Sequence, residues 1–290
     1  MTHSTATRIL LLSSGSRPEM AAEAARLLPL VARFASVEAA DLDAVTSLEH
    51  VEFDVAVVVG GDGSILRAAH HMGRRQRPVV AINLGKLGFL ADLSPDEFLA
   101  QLPAICSGTV PVVEHLMFDC QLLRGDRVVC RQLGLNEAVI FAGPPFAILQ
   151  VDLYVDAELV TTYSCDGLIV STPVGSTAHS LSAGGPILRK DLQAFVVVPI
   201  SPHTLTNRPV VDSADRIYEL VVPRPNAGST LVCDGKVLAN LEPGDRIRVQ
   251  RADARFGLVA VPGHSYYRTL RDKLGWSGNF RLNDGKRTPG

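Results

Sequence analysis

Near Val110 the spacing of apolar residues changes, and no other feature narrows the possible folds as far. Upstream, short apolar runs alternate with longer stretches of helical period. "RILLL" (8–12), "FDVAVVV" (53–59) and "RPVVAINLG" (77–85) have the branched, nearly continuous apolar character of strands buried on both faces. Between them, "PEMAAEAARLLPLVARFA" (18–35) repeats Ala, Leu and Val at three- and four-residue intervals with Pro18 in a first-turn position, and "SILRAAHHMGRR" (64–75) reads as a short helix. Strand, helix, strand, helix, strand predicts a parallel sheet joined by crossover helices. "SPDEFLAQLPAICSG" (94–108) closes this part. Ser94 is a helix N-cap, Pro95 the first helical residue, Glu97 the partner in a capping box and Gly108 the residue past the end, with Pro103 set to kink or shorten the helix.

Downstream the period is two. "HLMFDCQLLRGDRVVC" (115–130), "AILQVDLYVDAELVTT" (147–162) and "DRIYELVVPRPNAGSTLVCDGKVLA" (215–239) alternate apolar with polar residues around turns of Gly, Asp and Pro. "SYYRTLRDKLGW" (265–276) returns to helical spacing through Tyr266, Leu270 and Leu274, with Gly275 as its C-cap. The chain therefore divides into an N-terminal α/β domain with a parallel sheet (1–108) and a β-rich C-terminal domain (109–261). Residues 262–290 carry a C-terminal helix that packs back on the first domain.

Composition supports two cores and restricts the partners. The chain has 290 residues, 47% hydrophobic and 20% charged, a balance that folds. Its formal charge of -2, with acids and bases interspersed, lacks the basic surface of a nucleic-acid binder, so small-molecule partners are expected. The 5 cysteines are widely spaced without a CxxC pair, which argues against a disulfide framework or a zinc site. No apolar run approaches bilayer length, and a cytoplasmic location follows as the expectation.

One turn carries chemistry. "VVVGGDGSIL" (57–66) puts Gly60, Gly61, Asp62 and Gly63 between a buried strand and a helix, where backbone N–H groups and the positive helix end can hold a phosphate. Neither GxGxxG nor GxxxxGK[ST] is present at this turn, so the dinucleotide fingerprint and the P-loop are both unsupported there. Asp62 lies at the carboxyl end of a strand, the ligand edge of open α/β sheets. A carboxylate beside phosphates repels them unless it binds a divalent metal or orients a hydroxyl, which points to phosphoryl transfer. The competing reading is an acidic surface turn whose glycines serve geometry alone.

A second constellation, "SCDGLIVSTPVGSTAHSLSAGGPIL" (164–188), follows a strand with small residues and hydroxyls that let a flat ring approach the backbone, with Asp166 at its mouth. Upstream, Asn136 and Glu137 in "GLNEAVI" (134–140) offer an amide that donates and accepts and a carboxylate suited to paired ribose hydroxyls. His70 and His71 are adjacent on a helix, point to different faces and read as solvated residues rather than a metal pair. His203 in "SPHTLTNRP" (201–209) is equally suited to steadying its loop and to touching a ligand.

GGDG at 60–63, "INLGKLGFLAD" at 82–92, "NEAV" at 136–139 and "DGLIVSTPVGSTAHSLSAGGP" at 166–186 occur in the order seen in NAD kinases. "PISPHTLTNRPVV" at 199–211 and "LRDKLGW" at 270–276 extend the resemblance over most of the chain. The resemblance implies transfer of the γ-phosphoryl group of ATP to the 2'-hydroxyl of the adenosine ribose of NAD, with Mg²⁺ or another divalent metal. It also implies an active site between an α/β domain and a β-rich domain, and a homodimer or homotetramer. Position by position, Asp62 resembles the catalytic or metal-organising aspartate, with Gly60, Gly61 and Gly63 around the phosphates. Asn136 and Glu137 resemble the pair that holds the adenosine part of NAD. Asp166, Thr177, Ala178 and Ser182 fall where the family lines the dinucleotide site, and His179 stands in place of a tyrosine, with an imidazole able to stack. Ser64 replaces a threonine, while Lys86 and His115 stand where arginines are frequent. The rival enzymes that share this turn chemistry, phosphofructokinases and lipid kinases, leave 166–186 unexplained. A dinucleotide sensor without turnover leaves Asp62 unexplained.

Overall fold

The computed structural model describes residues 6–85, 88–91, 93–204, 206–263 and 265–275. Lys86, Trp276 and the last part of the C-terminal return lie outside these residues. The first half runs β1 (Arg8–Ser13), α1 (Pro18–Val31), β2 (Ser36–Asp41), β3 (Val55–Val59), α2 (Asp62–Met72), β4 (Val79–Ile82) and α3 (Pro95–Cys106). Met20, Ala24, Leu27 and Val31 form the buried stripe of α1, and all five residues of β3 are buried. A strand covered on both faces gains roughly 1.5–3 kcal/mol per fully buried valine, and such a strand tolerates no polar alternation. The α3 capping box forms between Ser94 and Glu97, Gly108 takes a positive φ of 67° past the end, and the helix continues through Pro103 to Cys106. β2 is an addition to the expected order. Among the described residues it pairs only with β1, and its sequence SVEAAD is exposed or half-exposed throughout, so no apolar period marks it.

The second half contains β5 (Val112–Arg124), β6 (Arg127–Gly134), β7 (Glu137–Phe141), β8 (Leu149–Val155), β9 (Glu158–Cys165), β10 (Gly167–Ser171), the short α4 (His179–Ser182), β11 (Ala194–Ile200), β12 (Val210–Ser213), β13 (Tyr218–Val221), β14 (Thr230–Cys233), β15 (Lys236–Asn240), β16 (Asp245–Val259) and finally α5 (Tyr266–Leu274). An antiparallel sheet in the order β12-β11-β10-β7-β14-β15 faces a larger sheet. Between them Phe195 packs edge-on to both Phe118 and Tyr218, with centroids 6.5 and 5.5 Å apart.

The larger sheet has ten strands and belongs to both halves. Its path is β2-β1-β3-β4-β16-β13-β8-β9, with β5 pairing β16 and β6. β1 through β4 are parallel, and β16 joins them in parallel at Leu258 opposite Val79 while pairing antiparallel with β5 and β13. Val259 and Val261 are buried in the core of the first half beside Val80, Ile82 and Phe98. α5 ends on Gly275 in the left-handed region and touches both halves: the Lys273 ammonium lies 5.3 Å from the centroid of the Phe89 ring, and the Tyr266 hydroxyl donates to the Leu188 carbonyl at 2.9 Å. The connection after β1 leads outward to β2, whereas that after β3 leads the other way to β4. The carboxyl ends of β1 and β3 thus open the crevice at which doubly wound sheets hold ligands.

Candidate active site

β3 ends in that crevice and the turn Gly60–Gly61 carries the chain into α2, whose first residue is Asp62. Gly60 adopts φ 153°, and a Cβ there would press into the Ser64 hydroxyl, so glycine is required. Beside the Cα atoms of Gly61 and Gly63 there is open space, room for an anion to approach the backbone at the head of the helix. The Asp62 carboxylate faces a second turn, residues 88–91. Its Oδ2 accepts from the Phe89 N–H at 2.7 Å, and its Oδ1 accepts from Leu90 and Ala91 at 2.9 and 3.1 Å. Gly88 permits this, since a Cβ at that position would meet the Asp62 oxygen. The same turn is held from the other side by Lys190, whose ammonium donates to the Phe89 carbonyl.

Asn136 immediately precedes β7 and Glu137 is its first residue. Glu137 is buried, its Oε2 has no hydrogen-bond partner among the described residues, and burial, with the nearby Asp234 carboxylate second, pushes its carboxyl up to about 8. The Asn136 carbonyl accepts from the Thr172 N–H at 2.8 Å and from the Ser171 hydroxyl at 3.2 Å, stitching the start of β7 to the segment after β10. Gly175 lies against that carbonyl, and a Cβ there would displace it. Gly175→Ala is therefore expected to cost about 2 kcal/mol or more, read as a lower midpoint in denaturant with the same m-value. An unchanged midpoint would show that this contact relaxes freely.

Val174 and Leu135 share one buried cluster with Ile65, Ala68 and Ala69 of α2, so the segment after β10, the start of β7 and the helix headed by Asp62 meet in the interior. Thr177 donates to the Val174 carbonyl at 3.1 Å, Ala178 is half-buried and Ser182 is exposed on α4. The His179 ring stacks on Phe141 of β7 at 5.4 Å with an interplanar angle of 21°. Asp166 sits between β9 and β10, about half exposed, and His203 Nε2 lies 3.3 Å from its Oδ1. His203 fastens its loop a second time, through its N–H to the Ser164 carbonyl at 2.8 Å.

His70 does not stand in solvent as its sequence context suggested. Its Nε2 lies 2.7 Å from Oδ2 of Asp234, a fully buried carboxylate. His71 also turns inward, with Nε2 buried and Nδ1 3.3 Å from the Thr46 carbonyl. His115 is buried, with Nδ1 3.2 Å from the Lys190 carbonyl, and burial lowers its pKa, so it does not replace an arginine's charge. Among the described residues no group of three or more His, Cys, Asp or Glu could hold a metal ion. Gly175 belongs to the small residues that mark the second constellation in the sequence, whereas Asp234 and Gly88 were not singled out there. Their only local signal is turn composition, and their roles depend on residues far away in the chain.

A doubly wound strand–GGDG–helix head, with its aspartate cradled by backbone N–H groups and a β-sandwich packed against the same helix, defines a nucleotide-handling α/β plus β protein. Sequence profiles refine this: the ATP-NAD kinase N-terminal domain matches residues 7–110 and the ATP-NAD kinase C-terminal domain residues 135–261. The chain belongs to the ATP-NAD kinase family. It is 53% identical over 275 residues to an NAD kinase of Rhodopirellula baltica, covering 95% of this chain and 88% of the relative. An NAD kinase of Geobacter metallireducens is 42% identical over 256 residues, covering 88% and 90%. Among solved structures, a yeast NADH kinase complexed with NADH superposes with TM-score 0.82 at 22% identity, covering 97% of this chain and 91% of that one. An NAD kinase from Archaeoglobus fulgidus in complex with ATP gives 0.74 at 27% identity, covering 93% and 98%.

Proposed function

We propose that this chain transfers the γ-phosphoryl group of ATP to the 2'-hydroxyl of the adenosine ribose of NAD, giving NADP, with Asp62 as the residue that orients the hydroxyl. The observation that carries this reading is the environment of the Asp62 carboxylate. An ionised carboxylate offers about four lone-pair sites, and the N–H groups of Phe89, Leu90 and Ala91 take three. The remaining site is available to accept from an alcohol at the head of α2, where N–H groups beside Gly61 and Gly63 would receive phosphate oxygens. Because a loose phosphoryl transition state releases the alcohol proton late, fixing the direction of attack contributes more than basicity.

In this reading residues 1–108 with 262–290 bind ATP and residues 109–261 bind NAD. Asn136, Glu137, Asp166, Thr177, Ala178, His179 and Ser182 form the dinucleotide wall. The stack of His179 on Phe141 supports a ring ledge at the place where a flat base would lie. A divalent metal bound to the ATP phosphates beside the Asp62 carboxylate would neutralise the transferring group. Five free cysteines accord with a cytoplasmic setting, and the family supports a homodimer or homotetramer.

Purified protein with ATP, Mg²⁺ and NAD should form NADP, while fructose 6-phosphate in place of NAD should give no sugar bisphosphate. Tight NAD binding without product would make the chain a sensor, and sugar phosphorylation would reassign it.

A further inference from the structure

Asp234 occupies the first position of a two-residue hairpin turn between β14 and β15, with φ 47° there and 78° at Gly235. Asp-Gly is a preferred pair for such a turn, and this alone explains the residue types. It does not explain where the side chain goes. The carboxylate is fully buried and turns away from its own hairpin to the start of β7. Oδ1 accepts from the N–H groups of Asn136 and Glu137 at 2.8 and 2.9 Å, and Oδ2 accepts from the N–H of Leu135 at 2.7 Å and from His70 Nε2 at 2.7 Å. Four donors fill the roughly four acceptor sites of a carboxylate. Asp234 therefore has no site left for a substrate, and whatever it does for the reaction it does through the groups it holds.

Those groups belong to two different parts of the site. Three are consecutive backbone N–H groups carrying Asn136 and Glu137. The fourth is a side chain of α2, the helix whose first residue is Asp62, eight residues and about 12 Å of helix away from His70. A second contact runs alongside: Arg74, just past α2, reaches Asp119 of β5 at 2.6 Å, and Arg131 of β6 holds the other oxygen at 2.9 Å.

We propose that Asp234 is a positioning residue for the acceptor dinucleotide, and that its hydrogen bond from His70 ties the Asn136–Glu137 segment to the helix that presents Asp62. The inference rests on reading Asn136 and Glu137 as NAD contacts. It places a specific demand on kinetics, because loosening the β7 start should weaken NAD capture before it touches ATP.

The test is steady-state NADP formation by the full chain carrying His70→Ala, His70→Gln or Asp234→Asn. His70→Ala, at a partly exposed side chain that leaves the hairpin intact, should raise the KM for NAD about tenfold with the KM for ATP little changed. His70→Gln, which keeps an N–H donor, should recover part of that loss. Asp234→Asn keeps one acceptor oxygen but sets an amide N–H₂ against the two donors that held the other, and should raise the KM for NAD at least as much. A double-mutant cycle of His70→Ala with Asn136→Ala should be less than additive. If His70→Ala only lowers the melting temperature and leaves the KM for NAD at the wild-type value, Asp234 is a structural residue and the proposal is wrong. Strictly additive effects in the cycle would also overturn the coupling. Wild-type protein that forms no NADP would instead defeat the functional reading, a separate outcome.

Discussion

Asp62→Asn is expected to lower kcat for NADP formation by roughly a hundredfold or more, with the dissociation constant for NAD changed by only a few-fold. Asparagine is nearly the same size, so the helix and glycine turn survive the substitution. What changes is the set of acceptors. The carboxylate receives three backbone N–H groups from Phe89, Leu90 and Ala91, and an amide can satisfy those on its oxygen side only, while its N–H₂ faces a donor. The variant therefore loses the acceptor proposed for the ribose hydroxyl and also loosens the 88–91 turn. Amide exchange at Leu90 should accelerate in step with the loss of turnover. Near-normal kcat would remove Asp62 from the chemistry. A loss of NAD affinity matching the loss of rate would make it a binding residue instead.

Glu137 gives the second large effect, through pH. Its carboxyl, near 4.5 when exposed, is pushed up to about 8 in the folded chain by burial and by Asp234. The folded protein thus keeps a proton that the unfolded chain releases. The stabilising contribution of that proton is complete below pH 4.5 and disappears as pH rises through 8. At roughly 1.4 kcal/mol per unit, the stability lost across the window is at most about 5 kcal/mol. Glu137→Gln imitates the neutral acid at every pH. It should flatten the stability profile between pH 5 and 8 and leave the variant more stable than wild type at pH 8.5 in urea. If Glu137 holds the ribose hydroxyls as proposed, the variant should also bind NAD more weakly above pH 8, where wild type presents a carboxylate. A wild-type profile that is flat or rising relative to the variant would show that Glu137 is ionised and solvated in the free protein.

The strand–turn–helix unit around Asp62 was legible because a wholly buried parallel strand leaves an unbroken apolar run, and the glycines that follow have a steric reason to be there. The α3 cap was legible for the same kind of reason, since Ser94 and Glu97 act on each other within one turn. β2 was not, because an edge strand with exposed side chains has no period to detect. Histidine 70 was misjudged. On a helix wheel it is one of an adjacent polar pair, and the buried carboxylate it binds stands 164 residues later. The partners of Asp62 were similarly out of reach: "GFLA" can be quoted as a motif, but the curl of its N–H groups around an aspartate 27 to 29 residues earlier is a tertiary fact.

β16 has a consequence for how the protein comes into being. Phe256, Val259 and Val261 fill the interior around the parallel strands, so the amino-terminal half cannot complete its own core until those residues leave the ribosome. Until then the outer edge of β4 lies bare. Nascent chains must wait with an open flank, and a truncated product ending near residue 110 would carry that flank permanently, as a seam for aggregation.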